Sequence, residues 1–343
     1  MIQVVSVEES VGKALGHDIT EIRPGEFKGP AFKRGHIVRT QDIDHLRRLG
    51  KDNLYILEPD PNQMHEDDAA VELANALCGE GVCWDGEPRE GKIDLKAARD
   101  GLLKVDVEKL TLFNELGEVM CASRHINTLV LKGDKVAGTR AIPLLADRSI
   151  VRQAVLIARQ SEGILRVAPL RQVKAGVLVT GNEVYYGRIE DRFAPIIRRK
   201  VEALNGTVVD VVFLPDDDER IASTALDLIE RGAEVLITTG GMSVDPDDRT
   251  RFGLLKAGAR DMLYGSAVLP GAMFMIAELN GIPVLGIPAC GLFANATIFD
   301  LIYPRVLAGD QITRKDIAKL GHGGLCLKCD PCHFPRCPFG KGS

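Results

Sequence analysis

The sequence predicts an α/β chain. A three-layer α/β/α domain is expected over residues 173–309, preceded by an N-terminal α+β and β-rich region and followed by a small metal-binding tail. Three observations lead there. From Lys174 onward, continuous apolar runs alternate with helical stretches, the pattern of a parallel sheet covered on both faces. Before that point, short strands, glycine–proline turns and isolated helices follow one another in no regular order. At the end, Cys326, Cys329, Cys332 and Cys337 crowd into twelve residues.

Composition bounds the function. The chain has 343 residues, 45% hydrophobic and 27% charged, enough for about two or three globular domains. A net charge of -5 and a pI near 5.9 argue against nucleic acid or an anionic membrane as partner. No apolar run approaches the ~20 residues of a membrane span; "AVLPGAMFMIAEL" is broken by Pro270 and Gly271. The N-terminus has no basic stretch ahead of an apolar core, so no signal peptide is expected and the protein reads as cytoplasmic. In a reducing compartment the cysteine crowd suggests metal ligands rather than disulfides.

Residues 1–62 read as a β-rich subdomain. "DITEI" and "NLYIL" are strands, and "TQDIDHLRRLG" is a short helix capped by Thr40 and ended by Gly50. Residues 63–172 read as α+β. "HEDDAAVELANALCG" is helical, with acids in its first turn to complement the helix dipole. "DVEKLTLFNELG" and "SIVRQAVLIARQSEG" are further helices, and "NTLVLKGDKVAGTRAIPL" is strand, tight turn, strand. His17, His36, His45, His65 and His125 show no metal-ligand spacing. From residue 173 to 309, "AGVLVTG", "TVVDVVFL", "AEVLITTGG" and "GIPVLGIP" are strands. The helices between and after them are "FAPIIRRKVEALNG", "DERIASTALDLIERG", "DPDDRTRFGLLKAG" and "ANATIFDLIYPRVLAG".

Ligands on such sheets bind beyond the carboxyl ends of the strands. Three strand exits carry unusual residues: "VTGNEVYYGRIEDRF", "TTGGMSVDPDDRT" and "GIPACGLFANA". By crossover logic they share one rim. In the second, Gly240 and Gly241 let backbone approach a ligand. Pro246 suits the first position of the next helix, with Asp245 as its cap and Asp248 three residues on. Capping explains the acids but not Thr238, Thr239, Gly240, Gly241 and Ser243 clustered before them. An anion held by backbone N–H groups and hydroxyls, next to carboxylates, calls for a divalent cation between them, and Mg²⁺ takes one or two carboxylates plus phosphate oxygens. The implied ligand is a metal-bridged phosphate ester.

"TTGGMSVDPDDRT" resembles the run T-S-G-G-x-S-x-G-x-x-D-x-T of the molybdopterin molybdenumtransferase (MoeA-like) family, shared more loosely with the MogA/MoaB-type molybdopterin-binding domain. Thr238, Gly240, Gly241, Ser243, Asp248 and Thr250 match. "VTGNEV" resembles S-T-G-D-E-L and places Glu183. "GRIED" resembles G-x-I-x-D and places Asp191, while "GIPVLGIPAC" resembles G-x-P-V-F-G-L-P-G-N. The similarity is close over residues 174–309 and looser before them, where "VGKALGHDI" resembles the family's opening A-L-G-R-V-L-A-x-D-I.

The resemblance implies a molybdopterin or adenylyl-molybdopterin ligand, Mg²⁺, and molybdenum or tungsten insertion from molybdate or tungstate. It also implies a homodimer; a client molybdenum or tungsten enzyme would belong to the alternative carrier role. The catalytic acids implied are Asp248, Glu183 and Asp191. The pterin ester would be held by Thr238, Thr239, Gly240, Gly241, Ser243 and Thr250, with Gly181 from the first loop and Pro288 and Cys290 from the third. Asp245 stands where the family has glycine, Ala289–Cys290–Gly291 stand at the G-N-P exit, and no M-D-G-Y-A stretch is present. Two other functions share the scaffold: a non-catalytic pterin carrier and a nucleotide pyrophosphatase. Cys290, just before a helix, is either an activated thiolate or a small buried hydrophobe.

The tail, residues 310–343, ends in C-x₂-C-x₂-C-x₄-C-P. Three cysteines at two-residue gaps followed by a proline suit a [4Fe–4S] cluster. Four thiolates suit a closed zinc site equally well. Gly321, Gly323 and Gly324 read as a hinge, which makes the tail an appendage to a domain already complete near Gly309.

Overall fold

The computed structural model describes every residue except Met1, Pro24, Glu58, Pro59, Ser161, Ser243, Val244, Pro246, Asp247 and Ser343. The chain divides into two compact units. One comprises Met1–Arg99, Lys104–Arg124 and Leu131–Val167; the other comprises Asp100–Leu103, His125–Val130 and Ala168–Ser343.

In the first unit, the strand Ile2–Ser6 pairs antiparallel with Asn53–Leu57, and Ile19–Arg23 with Phe27–Phe32. Val7, Leu15, Ile19, Val38, Leu46 and Leu54 form their small core. A four-stranded antiparallel sheet runs Val82–Cys83, Lys92–Ala97, Lys135–Ala141, Val119–Ser123 in spatial order. The helices Glu66–Leu77 and Arg148–Arg159 pack against each other beside it. Asp147 accepts from the Ser149 amide at 2.6 Å and so caps the second helix. The expected strand–turn–strand of residues 127–144 holds only locally. Its strands join different sheets: Lys135–Ala141 pairs with Lys92–Ala97 in this unit, whereas Thr128–Val130, which belongs to the other, pairs with Gly101–Val105.

The second unit is built on a six-stranded sheet in the order Thr207–Leu214, Lys174–Thr180, Val235–Thr239, Ile282–Ile287, Met275–Leu279, Arg260–Tyr264. The first four are mutually parallel, as the apolar runs predict; Met275–Leu279 runs against them, and Arg260–Tyr264 pairs antiparallel with it. The sheet is therefore mixed. The reversal has a local cause: Asn280 and Gly281 both have positive φ, +52° and +78°, which suits a tight two-residue hairpin.

Side chains alternate across the parallel strands. Val177, Ile237 and Leu285 face the helices Phe193–Glu202 and Ile298–Leu307. Leu178, Leu236 and Val284 face Asp218–Glu230 and Thr250–Ala257. This is the expected three-layer arrangement. Each parallel strand ends at the same rim, which collects the three loops singled out in the sequence.

The tail is not an appendage. Ile317 and Phe339 lie in the same apolar cluster as Phe299, Ile302 and Tyr303, at 1% and 3% exposure. Thr313 caps a short helix, Arg314–Lys319, whose Asp316 is clamped by Arg305 at 3.0 Å. Burial pushes the Asp316 carboxyl up, but hydrogen bonds from Thr313 and Arg305 outweigh it and hold it at about 2. The glycines expected to act as a hinge are pinned instead. Gly324 is buried, its carbonyl accepts from the Leu269 amide at 2.9 Å, and a Cβ on it would lie 2.4 Å from the Leu320 carbonyl oxygen. Phe339→Ala is expected to cost about 3–5 kcal/mol, the range for emptying a buried aromatic site. Denaturant unfolding followed by circular dichroism checks this; an unchanged midpoint would mean the tail does not belong to the core.

Candidate functional site

The Val235–Thr239 strand leaves the sheet at Gly240 and Gly241, whose φ values are +85° and +52°. A Cβ on Gly240 would stand 1.9 Å from the Thr180 carbonyl oxygen, a separation no side chain tolerates. The ends of two neighbouring strands are thus drawn together at a residue that must be glycine.

Two buried threonines fix this approach. The hydroxyls of Thr180 and Thr250 lie 2.6 Å apart. Thr180 Oγ1 is 3.1 Å from the Thr239 carbonyl oxygen, and Thr250 Oγ1 is 3.1 Å from that of Gly240. Each hydroxyl has one hydrogen to give, so the pair acts as a short chain ending on one of those two carbonyls. Thr250, matched by resemblance to a ligand-binding position, is fully buried and holds the loop rather than the ligand. Thr238 and Thr239 are also fully buried, and their hydroxyls have no hydrogen-bond partner among the described residues. They sit in register with Leu178 and Val179 inside the sheet. Ser243, the remaining residue of that group, lies outside the described residues.

Beyond the pinch lies a cavity of 760 Å³, of a size suited to a small-molecule ligand. Val179, Val184, Phe193, Met242, Leu269 and Met273 contribute its apolar walls. Gly240, Gly241, Glu183, Asp248, Pro288 and Cys290 all line it, so all three strand exits converge.

Glu183 is placed by the glycine before it. Gly181 has φ +137°, and a Cβ there would fall 2.8 Å from Glu183 Oε1, so the carboxylate folds over bare backbone. Asp216, at the exit of Thr207–Leu214, accepts from the Asn182 amide at 3.0 Å and ties the Glu183 loop to that strand. Its Oδ1 would lie 3.3 Å from a Cβ on Gly241. The sequence reading passed over Asp216; the signal was the acidic run "LPDDDER" at a fourth strand exit.

Asp248 reaches the cavity from a tight turn. Its amide donates to the Asp245 carbonyl at 3.0 Å, and its Oδ2 accepts from the Asp245 amide at 3.3 Å. The helix begins only at Thr250, capped in backbone by Arg249, so Asp245 is not its cap. Pro246 and Asp247 lie outside the described residues. Asp245 and Asp248 are thereby bonded to each other ahead of the helix instead of capping its first turn.

Asp191 does not line the cavity. Its oxygens accept from the amides of Phe193 and Ala194 at 2.9 and 3.0 Å, starting the helix whose Phe193 is a cavity wall. Its role in this structure is to position that wall. Cys290 lies in the four-residue 3-10 turn Ala289–Leu292, where burial pushes its thiol up, so the activated-thiolate reading is not supported.

The tail cysteines are dispersed. Cys326 lines the cavity, Cys337 packs against the core, and Cys329 and Cys332 are exposed. Among the described residues, no three His, Cys, Asp or Glu side chains are grouped to hold a metal. The expected closed four-thiolate site is therefore not assembled in this arrangement. The segment is held by Phe334 and Phe339 on the core instead. Leu325 and Lys328, which the sequence reading gave no role, join Cys326 on the cavity wall. No described helix is long and apolar enough to cross a membrane.

Residues 176–308 match a probable molybdopterin binding domain, and residues 4–58 match a domain of unknown function (DUF8806). Over 321 residues the chain is 30% identical to a molybdopterin molybdenumtransferase of Haemophilus influenzae, covering 89% of this chain and 72% of that protein. The chain belongs to the molybdopterin molybdenumtransferase family. A second family member, from Synechococcus elongatus, is 24% identical over 176 residues, covering 48% of this chain and 44% of its own. Among solved structures, the tungsten cofactor synthesizing protein MoaB of Pyrococcus furiosus is 20% identical, with TM-score 0.32, over 40% of this chain and 97% of that one. Family and domain place the chain in molybdenum cofactor biosynthesis, with the cavity at the strand exits of its molybdopterin-binding domain.

The pinch at Gly240 gives a direct check. In Gly240→Ala the methyl group meets the Thr180 carbonyl and φ is strained, so the loop must move. The variant is expected to lose several degrees of Tm, consistent with a cost of about 1–3 kcal/mol, and to lose pterin-ligand affinity. Calorimetry and titration on one sample test both; unaltered values would show the loop is not held as described.

Proposed function

We propose that this cavity binds molybdopterin or its adenylyl ester together with Mg²⁺, and that the chain acts at the molybdenum or tungsten insertion step of cofactor biosynthesis. One observation carries the reading: Glu183 and Asp248, from different loops, line the same apolar cavity as the Gly240–Gly241 turn. The apolar walls suit a planar pterin. The bare glycine backbone suits close approach of a phosphate ester.

The acids fit a shared rather than a caged cation. Two carboxylates line the cavity, and Mg²⁺ bound through one or two carboxylates keeps its other positions for waters and phosphate oxygens. When bound, Mg²⁺ supplies charge neutralisation at the phosphate. The chain's own contributions are to seat the pterin, to present Glu183 and Asp248 from separate loops, and to fix Phe193 through Asp191.

The test is AMP release from adenylyl-molybdopterin, with and without molybdate. Release that requires both molybdate and Mg²⁺ is expected. Release indifferent to molybdate would replace this reading with a pyrophosphatase, and tight binding without release would replace it with a carrier. Asp248→Asn should stay folded, since an amide oxygen can take the same bond from the Asp245 amide, and should lose about 10–100-fold in Mg²⁺ affinity. An unchanged Mg²⁺ dependence would remove Asp248 from the site.

The thiol set of the tail suits iron–sulfur or zinc by chemistry, though not as dispersed in this structure. We infer that metal loading draws Cys329 and Cys332 toward Cys326 and Cys337. Metal and sulfide analysis of anaerobically purified protein is expected to find about one cluster or one zinc per chain. Neither metal in such protein would leave the tail as a packing element alone.

A further inference from the structure

We propose that Lys328, carried by the cysteine tail, is the cation with which this cavity recognises the anionic phosphate end of its ligand. The inference rests on the pterin-ester reading above and adds a recognition residue to it.

The first observation is charge. Glu183 and Asp248 line the cavity, and Lys328 is the only lysine or arginine among the described lining residues. A phosphate ester entering beside two carboxylates is repelled by both. An ammonium on a flexible stem, with three donors, is suited to offset that as a point charge.

The second observation is that the tail is anchored where it meets the cavity. The Leu269 amide donates to the Gly324 carbonyl at 2.9 Å, and the Cys326 amide donates to the Leu269 carbonyl at 2.8 Å. Leu269 is itself a lining residue, so the tail backbone is tied to one wall two residues before Lys328. The backbone that carries Lys328 is thus held at the cavity wall by hydrogen bonds, while its side chain remains exposed.

The third observation is conformational. Lys328 has φ +53°, in the left-handed region that favours glycine. Its amide donates to Cys326 Sγ at 3.5 Å, closing a turn within the Cys326–Cys329 segment. Glycine would satisfy this backbone with less strain. A lysine held there instead, at a residue that lines a ligand cavity, points to use of the side chain.

The geometry also supplies the test. Lys328→Gly removes the charge while suiting the turn, and Lys328→Arg keeps the charge. Wild type and both variants are titrated with adenylyl-molybdopterin and with a neutral pterin lacking phosphate, at low and at about 0.3 M salt. Lys328→Gly is expected to weaken the ester about tenfold at low salt and by less at high salt, because exposed charges are screened there. Neutral pterin affinity should not change, and Lys328→Arg should recover most of the ester affinity. Equal ester affinity in wild type and Lys328→Gly overturns the inference and leaves the pterin-ester reading standing. Equal loss for both ligands, without recovery by arginine, overturns it in favour of a structural role. Failure of the wild type to bind the ester overturns both.

Discussion

The closeness of Gly240 to the Thr180 carbonyl is the constraint on which the site depends. Parallel strands normally end apart, each followed by its own loop. In this structure the Val235–Thr239 strand turns back at its last residue so tightly that a Cβ would overlap its neighbour's carbonyl oxygen. The turn brings Gly241 beside Thr250 and Asp216. Asp216 in turn binds the amide of Asn182, next to Glu183. One glycine thereby sets the relation between the loop that carries Asp248 and the loop that carries Glu183. The Thr180–Thr250 hydroxyl pair holds the arrangement from below, in a buried setting where a hydrogen bond is more costly to break than at the surface.

A second dependence runs through the tail. Ile317 and Phe339 share a core with Phe299 and Tyr303, whose rings stack at 4.9 Å. That core lies under the sheet face bearing Val177, Ile237 and Leu285. Further along, Leu325 bridges to Leu269 and places Cys326 and Lys328 on the cavity. One segment therefore completes a hydrophobic core and a ligand wall. A change in the tail that disturbs Phe339 reaches the wall through the backbone: the amide of the next residue, Gly340, donates to the Gly323 carbonyl at 2.9 Å, and the neighbouring Gly324 is bound to Leu269.

The alternation of apolar runs and helices was legible because parallel strands buried on both faces leave no freedom in composition. The convergence of three loops followed from topology, and Glu183, Asp248, Gly240, Gly241, Pro288 and Cys290 do meet in one cavity. Side-chain direction was not legible. A motif match assigns a position, yet Thr238 and Thr239 are still within the strand, where alternation turns them to opposite, covered faces of the sheet. Asp191 matched as an acid of the rim, but an acid two and three residues before free helix amides is drawn to those amides. The spacing of the cysteines masked a different signal in the same stretch: Phe334 and Phe339 lie between and after them, and aromatic burial fixed the tail.

Charge decides what the cavity can accept. Two carboxylates with no compensation exclude a phosphate. At ~4 Å each like-charge pair costs ~1 kcal/mol in water and ~4 kcal/mol at the effective dielectric of a protein surface. Asp245, where the family pattern has glycine, adds a further acid to the same loop. An apolar-walled site so charged suits a neutral or cationic ligand unless positive charge enters with the anion. Under the proposed function, Glu183 and Asp248 would hold a divalent cation, which would meet that need at one end. Lysine on the tail meets it with a smaller, screened charge. The two differ in what they select. A shared cation favours a ligand able to chelate it, whereas a tail lysine favours negative charge in general. A cavity using both discriminates a phosphate ester from a neutral pterin twice, once by coordination and once by field, with the second contribution set by how firmly Leu269 holds the tail.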